Sequence, residues 1–184
     1  MINQLIIKGF KSFVDKSINF NQLNVLTGLN SSGKSTVIQA LQILNKYSRH
    51  FENPLIEGHG DYKELQNPFS SLPFSINAKY GEHGIICYSP QKENNIHTEE
   101  FPDLIIISAD RYGPLVSIPL LSDCELGSKG ENVIKCIQVH ENDILGKLIT
   151  HPNSEGDTFL YNLRAWLGTI TPGVQFNYDI IDKA

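Results

Sequence analysis

Nine consecutive residues, Gly28-Leu-Asn-Ser-Ser-Gly-Lys-Ser-Thr36, have the types and spacing needed to hold phosphate. They match Gly-x-x-x-x-Gly-Lys-Ser in full, and each residue type in that pattern has a physical task. Glycines at 28 and 33 let the backbone wrap close to an anion with no Cβ in the way. Amides of Asn30, Ser31, Ser32, Gly33 and on to Thr36 can then point at phosphate oxygens. A helix starting at Lys34 adds unpaired N–H groups and the positive end of its dipole. Lys34 offers a point charge for β- and γ-phosphates, the one catalytic group the motif itself supplies. The Ser35 hydroxyl is an oxygen ligand for Mg²⁺, which prefers octahedral oxygen shells shared with phosphate. Binding of a nucleoside triphosphate is the chemistry these residues imply.

A glycine-rich turn with a chance Gly-Lys-Ser is the competing reading, and the flanking segments argue against it. Leu23-Asn-Val-Leu-Thr27 reads as a strand leading into the loop. After it, Val37, Ile38, Leu41, Leu44 and Tyr47 recur at three- and four-residue intervals, which predicts a helix over about Lys34 to Tyr47. Lys46, Arg49 and His50 suit its C-terminal end, and Pro54 lies beyond. Strand, loop and helix in that order are the context the motif requires.

The other elements follow from pattern. Gln4–Lys8 and Lys16–Phe20 read as strands joined by a Gly9-Phe-Lys-Ser-Phe13 corner. Residues 53–73 are rich in Gly, Pro, Asn and Ser, implying an irregular connection with at most a short helix at Tyr62–Leu65. Pro73–Tyr80 and Gly84–Tyr88 form a predicted hairpin, and Ser89–Pro102 a solvent loop. The apolar, β-branched run Asp103-Leu-Ile-Ile-Ile-Ser108 predicts a central strand buried on both faces. Helical spacing marks Glu131–His140 and Phe159–Gly168, and Val174–Ile181 alternates like a strand. The predicted class is α/β: a mixed sheet with additional antiparallel strands. With no repeat or convincing linker, residues 1–184 read as one unit.

Composition narrows the function classes. The chain has 184 residues, enough for one domain that buries about 70% of its unfolded surface. Apolar residues make up 40% and charged residues 19%, which excludes a globally disordered chain. A net charge of −5 and a pI near 5.6 lack the electrostatic footprint of a general nucleic-acid binder. Three scattered cysteines, Cys87, Cys124 and Cys136, make neither a disulfide framework nor a zinc site, and buried reduced thiols are expected. Six histidines fall in no ligand spacing. No apolar stretch reads as a signal peptide or membrane span, so a cytoplasmic protein is expected. Asp110-Arg-Tyr-Gly113 spells a GTPase-like Asp-x-x-Gly, but no Asn-Lys-x-Asp base-reading motif accompanies it, since Asn45-Lys-Tyr-Ser48 lacks the aspartate. A phosphate-loop kinase is disfavoured by the two strands that precede the loop strand.

The N-terminal pattern as a whole, Leu5-Ile-Ile-Lys-Gly-Phe-Lys-Ser-Phe13, then Ile18-Asn-Phe20, then Asn24 through Thr36, resembles the N-terminal lobe of ABC-type ATPase heads. The likeness is to the structural-maintenance-of-chromosomes, RecF and OLD kind. These share a Phe-Lys-Ser-Phe-like corner and a Gly-x-Asn-x-Ser-Gly-Lys-Ser loop. Ile107-Ser-Ala-Asp-Arg-Tyr-Gly-Pro114 followed by Gly127-Ser-Lys-Gly-Glu131 is similar to bacterial AAA-type ATPases of the OLD-like branch, many from phage-defence systems. There the usual form is Ser-Ala-Glu-Arg-x-Gly-Pro.

The resemblance implies an ATP-driven switch in which ATP is sandwiched between the phosphate loop of one head and the signature motif of another. Lys34 and Ser35 would then hold phosphate and metal, with Lys11 from the corner approaching the phosphates, against a solvated lysine, and Arg111 after the apolar run near the nucleotide, against a structural salt bridge. Gln66 and Asp61 are the nearest candidates to complete the metal shell, against an ordinary role in shaping the loop. Implied partners are ATP, Mg²⁺, a second head, and either DNA or an effector protein. The signature motif, an apolar strand ending in Asp-Glu and a switch histidine are not found; Asp110 is followed by Arg111, and Asp179-Ile-Ile-Asp182 is no better. The expectation is the N-terminal lobe of an incomplete ATPase domain, with hydrolysis requiring a C-terminal lobe. A non-hydrolysing nucleotide-binding or interaction module is the alternative.

Overall fold

The computed structural model describes residues 1–50, 53–56, 58–91, 95–110, 124 and 126–179. They fall into two compact units, Met1–Leu104 and Ile105–Ala184, where the sequence reads as one. In the first, β1 (Ile2–Phe10), β2 (Phe13–Asn19), α1 (Lys34–Ser48), α2 (Tyr62–Leu65), β3 (Ser75–Tyr80), β4 (Gly84–Tyr88) and β5 (Ile96–His97) succeed one another. The strands make one sheet in the order β2-β1-β3-β4-β5. Every pairing between them is antiparallel, which corrects the mixed sheet expected from sequence.

Register explains the core. Leu5 pairs with Ala78 and Ile7 with Ile76, while Ile76 pairs with Tyr88 and Ala78 with Ile86. All six are buried on one face of the sheet, as the two-residue period of a strand requires. Helix α1 covers that face with Val37, Ala40, Ile43 and Leu44, and the whole forms one apolar cluster that also takes in Phe10, Leu65 and Phe74. The helix bounds are close to those predicted, but its inner stripe is rotated. Ala40 and Ile43 lie inside, whereas Ile38 is 46% exposed. The predicted hairpin, the short helix at Tyr62–Leu65 and the first two strands are present; β5 lies inside the stretch read as a solvent loop.

Two expected strands are not formed. Leu23–Thr27 belongs to no strand, and Leu23 and Val25 are 82% and 75% exposed. Asp103–Ser108 likewise forms no strand, and Ile105 and Ile107 are exposed rather than buried on both faces. Local patterning identifies a segment fit for a sheet, but a strand exists only where a second segment supplies its ladder.

The second unit contains α3 (Val133–His140) and α4 (Phe159–Ile170), both as the spacing predicts. Asn162, fully buried on α4, accepts from the His151 amide at 2.7 Å and donates to the Thr158 and Gly156 carbonyls at 2.9 and 3.1 Å. It pins the 151–158 loop to the helix. The Trp166 ring stands edge-on to His151 at 4.6 Å. Residues 174–179 form no strand, which corrects the reading of Val174–Ile181 as far as it can be seen; 180 and 181 lie outside the described residues.

The three cysteines are unbridged and half-buried rather than fully inside. Burial raises the Cys87 thiol above its ordinary 9.0. It also raises the Tyr80 hydroxyl above 10.0, and that of Tyr88 further, with the neighbouring Tyr62 hydroxyl adding to the effect. In each case the folded state disfavours the ionised form. The resulting stability is complete below the unfolded-state values and is lost as pH rises through the raised ones. Denaturant titrations are expected to give level stability between about pH 7 and pH 8 and a progressive fall above about pH 9.

Candidate functional site

The Gly28–Thr36 loop owes its path to residues at positive φ: Gly28 at 145°, Ser31 at 63° and Gly33 at 95°. At Gly33 the need for glycine is double. The conformation itself disfavours a side chain, and a Cβ would lie 2.5 Å from Phe13 Cζ and 2.9 Å from Ser12 Oγ. Gly33 is also the N-cap of α1, which has neither a side-chain cap nor an acidic residue in its first turn. The first helical bond runs from the Val37 amide to the Gly33 carbonyl at 3.2 Å. The Lys34, Ser35 and Thr36 amides therefore have no acceptor within the helix and form the positive end of its dipole.

Lys34 folds back across the loop. Its Nζ donates to the Gly28 and Leu29 carbonyls at 2.8 and 2.6 Å, which places an ammonium group among the loop's own backbone oxygens. Asn30, Ser31, Ser32 and Ser35 are exposed around it, and the Ser35 hydroxyl takes no hydrogen-bond partner among the described residues. Thr36 is 7% exposed, with its hydroxyl 3.3 Å from that of Ser12. A tight loop with no room for side chains at 28 and 33, uncapped helix amides and the Lys34 ammonium together fit an anion. The free Ser35 hydroxyl fits a hard cation shared with it.

The β1–β2 corner is brought onto this loop. Lys11 sits at φ 48°, a region costly for a residue with a side chain. Its Nζ donates to Gln39 Oε1 on α1 at 2.8 Å, so it lies beside the helix that starts the site. Gln39 in turn approaches His59 Nδ1 at 3.2 Å.

The weaker metal candidates are occupied elsewhere. Asp61 caps α2, accepting from the Lys63 and Glu64 amides at 2.8 and 3.0 Å. Gln66 accepts from the Phe74 amide at 2.9 Å and donates to the Leu72 carbonyl at 2.7 Å. Both shape their loops. Arg111, with Tyr112, Gly113 and Pro114, lies outside the described residues. Asp110 is exposed and 3.8 Å from Lys129 Nζ, and the Ser108 amide donates to the Ser128 carbonyl at 2.7 Å, so the two later motif stretches meet.

Three contributors had no place among the candidate residues. Ser12 and Phe13 were legible only as part of the corner; Asn67 carried no signal, since Asn67-Pro68 in a loop-rich stretch reads as a turn. Asn67 is 4% exposed and donates to the Lys11 carbonyl at 2.6 Å.

A glycine loop opening an uncapped helix, packed on an antiparallel sheet, places the chain in the class of nucleotide-binding α/β lobes. Over residues 1–162 it matches the family described as AAA ATPase domain, and it belongs to that family. No curated protein matches it. The family's general chemistry is nucleotide binding and ATP hydrolysis, with ATP and Mg²⁺ as the usual cofactors. Among the described residues no helix is long and apolar enough to cross a membrane.

Proposed function

We propose that the chain binds ATP with Mg²⁺ in the Gly28–Thr36 loop, as the phosphate-binding half of an ABC/SMC-like ATPase head. What carries this reading is the Lys34 ammonium folded over a glycine loop whose first helix amides have no acceptor among the described residues. On binding, Lys34 exchanges the Gly28 and Leu29 carbonyls for phosphate oxygens, and the backbone amides of Asn30 through Thr36 enclose them. The Ser35 hydroxyl holds the metal, which when bound neutralises phosphate charge. Lys11 adds positive charge from the corner.

Hydrolysis in this reading needs a C-terminal lobe. No apolar strand ending in Asp-Glu is found to place the attacking water, so positioning and charge neutralisation act alone and turnover is slow. The exposure of Leu23 and Val25, on the segment that feeds the loop, supports a sheet completed by that lobe. Closure of two heads on ATP, and coupling to DNA handling or a phage-defence effector, extend the same resemblance. The −5 net charge argues against this chain alone gripping DNA, so a DNA contact would belong to other segments.

Calorimetric titration with ATP and Mg²⁺, alongside a phosphate-release assay, tests the reading. Metal-dependent binding with phosphate release at the protein-free background is the expected result. Rapid turnover by the chain alone would overturn the need for a second lobe, and absence of ATP binding would overturn the site.

A further inference from the structure

We propose that Asn67 is a positioning residue for the Gly28–Thr36 loop, acting through the Lys11–Phe13 corner. This rests on the reading of that loop as the nucleotide site. The corner is held from behind by the segment following α2. The Lys11 amide donates to the Leu65 carbonyl at 2.8 Å and the Asn67 amide to the Gly9 carbonyl at 2.8 Å. The Asn67 Nδ2 donates to the Lys11 carbonyl at 2.6 Å, while its Oδ1 accepts from the Phe69 amide at 2.9 Å.

Both polar ends of a buried side chain are satisfied, and one of them fastens the residue that carries the strained φ of 48°. Backbone held in such a conformation persists only where surrounding bonds over-determine it. In front, the corner touches the loop at two points. The Ser12 hydroxyl meets that of Thr36 at 3.3 Å, and Phe13 and Ser12 leave no room for a Cβ on Gly33. A shift of the corner is therefore passed directly to Gly33 and Thr36, whose amides open α1. Among the described residues Asn67 makes no hydrogen bond to the loop itself.

The discriminating variant is Asn67→Asp. It keeps an acceptor for the Phe69 amide but sets a carboxylate oxygen against the Lys11 carbonyl, so the bond that fastens the corner is replaced by repulsion. Amide NMR spectra of the chain, with and without ATP and Mg²⁺, give the readout, at a temperature where thermal melts show each variant folded. The Gly33 and Thr36 resonances are expected to move in Asn67→Asp without nucleotide, while those of Ile43 and Leu44 stay in place. ATP affinity should fall about tenfold, less than additively when combined with Ser12→Ala, because both act through one contact. Unmoved Gly33 and Thr36 resonances, or a fully additive double variant, would overturn the proposal.

Should Asn67→Asp fail to fold, Asn67→Ser decides by the same two resonances, since it keeps a side-chain oxygen near the Phe69 amide and withdraws the Nδ2 donor from the Lys11 carbonyl: movement supports the relay and no movement overturns it. If the parent chain binds no ATP, the nucleotide reading fails, and the resonances without nucleotide still decide whether Asn67 positions the loop.

Discussion

Lys34→Ala is expected to weaken ATP binding about 100-fold while leaving the fold intact, read by calorimetric titration and thermal melting. Among the described residues the ammonium group donates to the Gly28 and Leu29 carbonyls alone, both on an exposed loop, so its removal leaves no buried acceptor unpaired there. Alanine is also the better helix former at the first position of α1, and the melting temperature should change little. Binding is another matter. The loop amides and the helix dipole remain, but a triphosphate brings several negative charges into a chain that already carries −5. In the proposed site Lys34 is the cation that meets them. Lys34→Arg keeps the charge but replaces a compact donor with a planar fork, in a loop whose two carbonyl contacts are at 2.6 and 2.8 Å; its affinity should fall between parent and alanine variant. An alanine variant that binds ATP as tightly as the parent would remove Lys34 from the site.

The parts of this molecule that could be read from sequence are those decided by near neighbours in the chain. The α1 helix, though not the face it buries, the β3–β4 hairpin and the four residues of α2 each declare themselves within a few positions. The glycine loop does so most clearly, because Gly28, Gly33 and Lys34 meet demands of their own backbone and charge. What could not be read depends on distant segments. Leu23–Thr27 and Asp103–Ser108 have the composition of strands, yet pairing is decided elsewhere in the chain and neither gains a ladder. Lys11 was legible as a basic residue at a corner, but not its bond to Gln39 twenty-eight positions on. Asn67 is the extreme case. Its partner Lys11 lies 56 positions away, and an asparagine before a proline in a polar stretch looks like every other turn residue.

Phe10→Ala is expected to cost about 3–5 kcal/mol of stability, the largest effect of any single substitution considered for this unit. The ring is fully buried at the end of β1 and lies 5.0 Å from that of Phe74, tilted by 56°, so the variant loses an aromatic pair as well as transfer energy. Against the 5–15 kcal/mol typical of a domain, about 4 kcal/mol is a large fraction, and the melting temperature should drop by about 10 °C or more. Phe69→Ala is the control: that ring is 86% exposed, and its loss should change stability by less than about 0.5 kcal/mol.

The substitution at 10 also reaches the site. Phe10 pairs with Phe13 in the β1–β2 register, bridges to Gln66 on its other side and immediately precedes Lys11. A cavity there loosens the corner from both directions while leaving the Lys34 loop chemically unchanged. ATP affinity measured well below the variant's melting temperature should therefore fall together with stability. Undiminished affinity in a destabilised Phe10→Ala protein would show that the loop holds its shape without the core behind the corner.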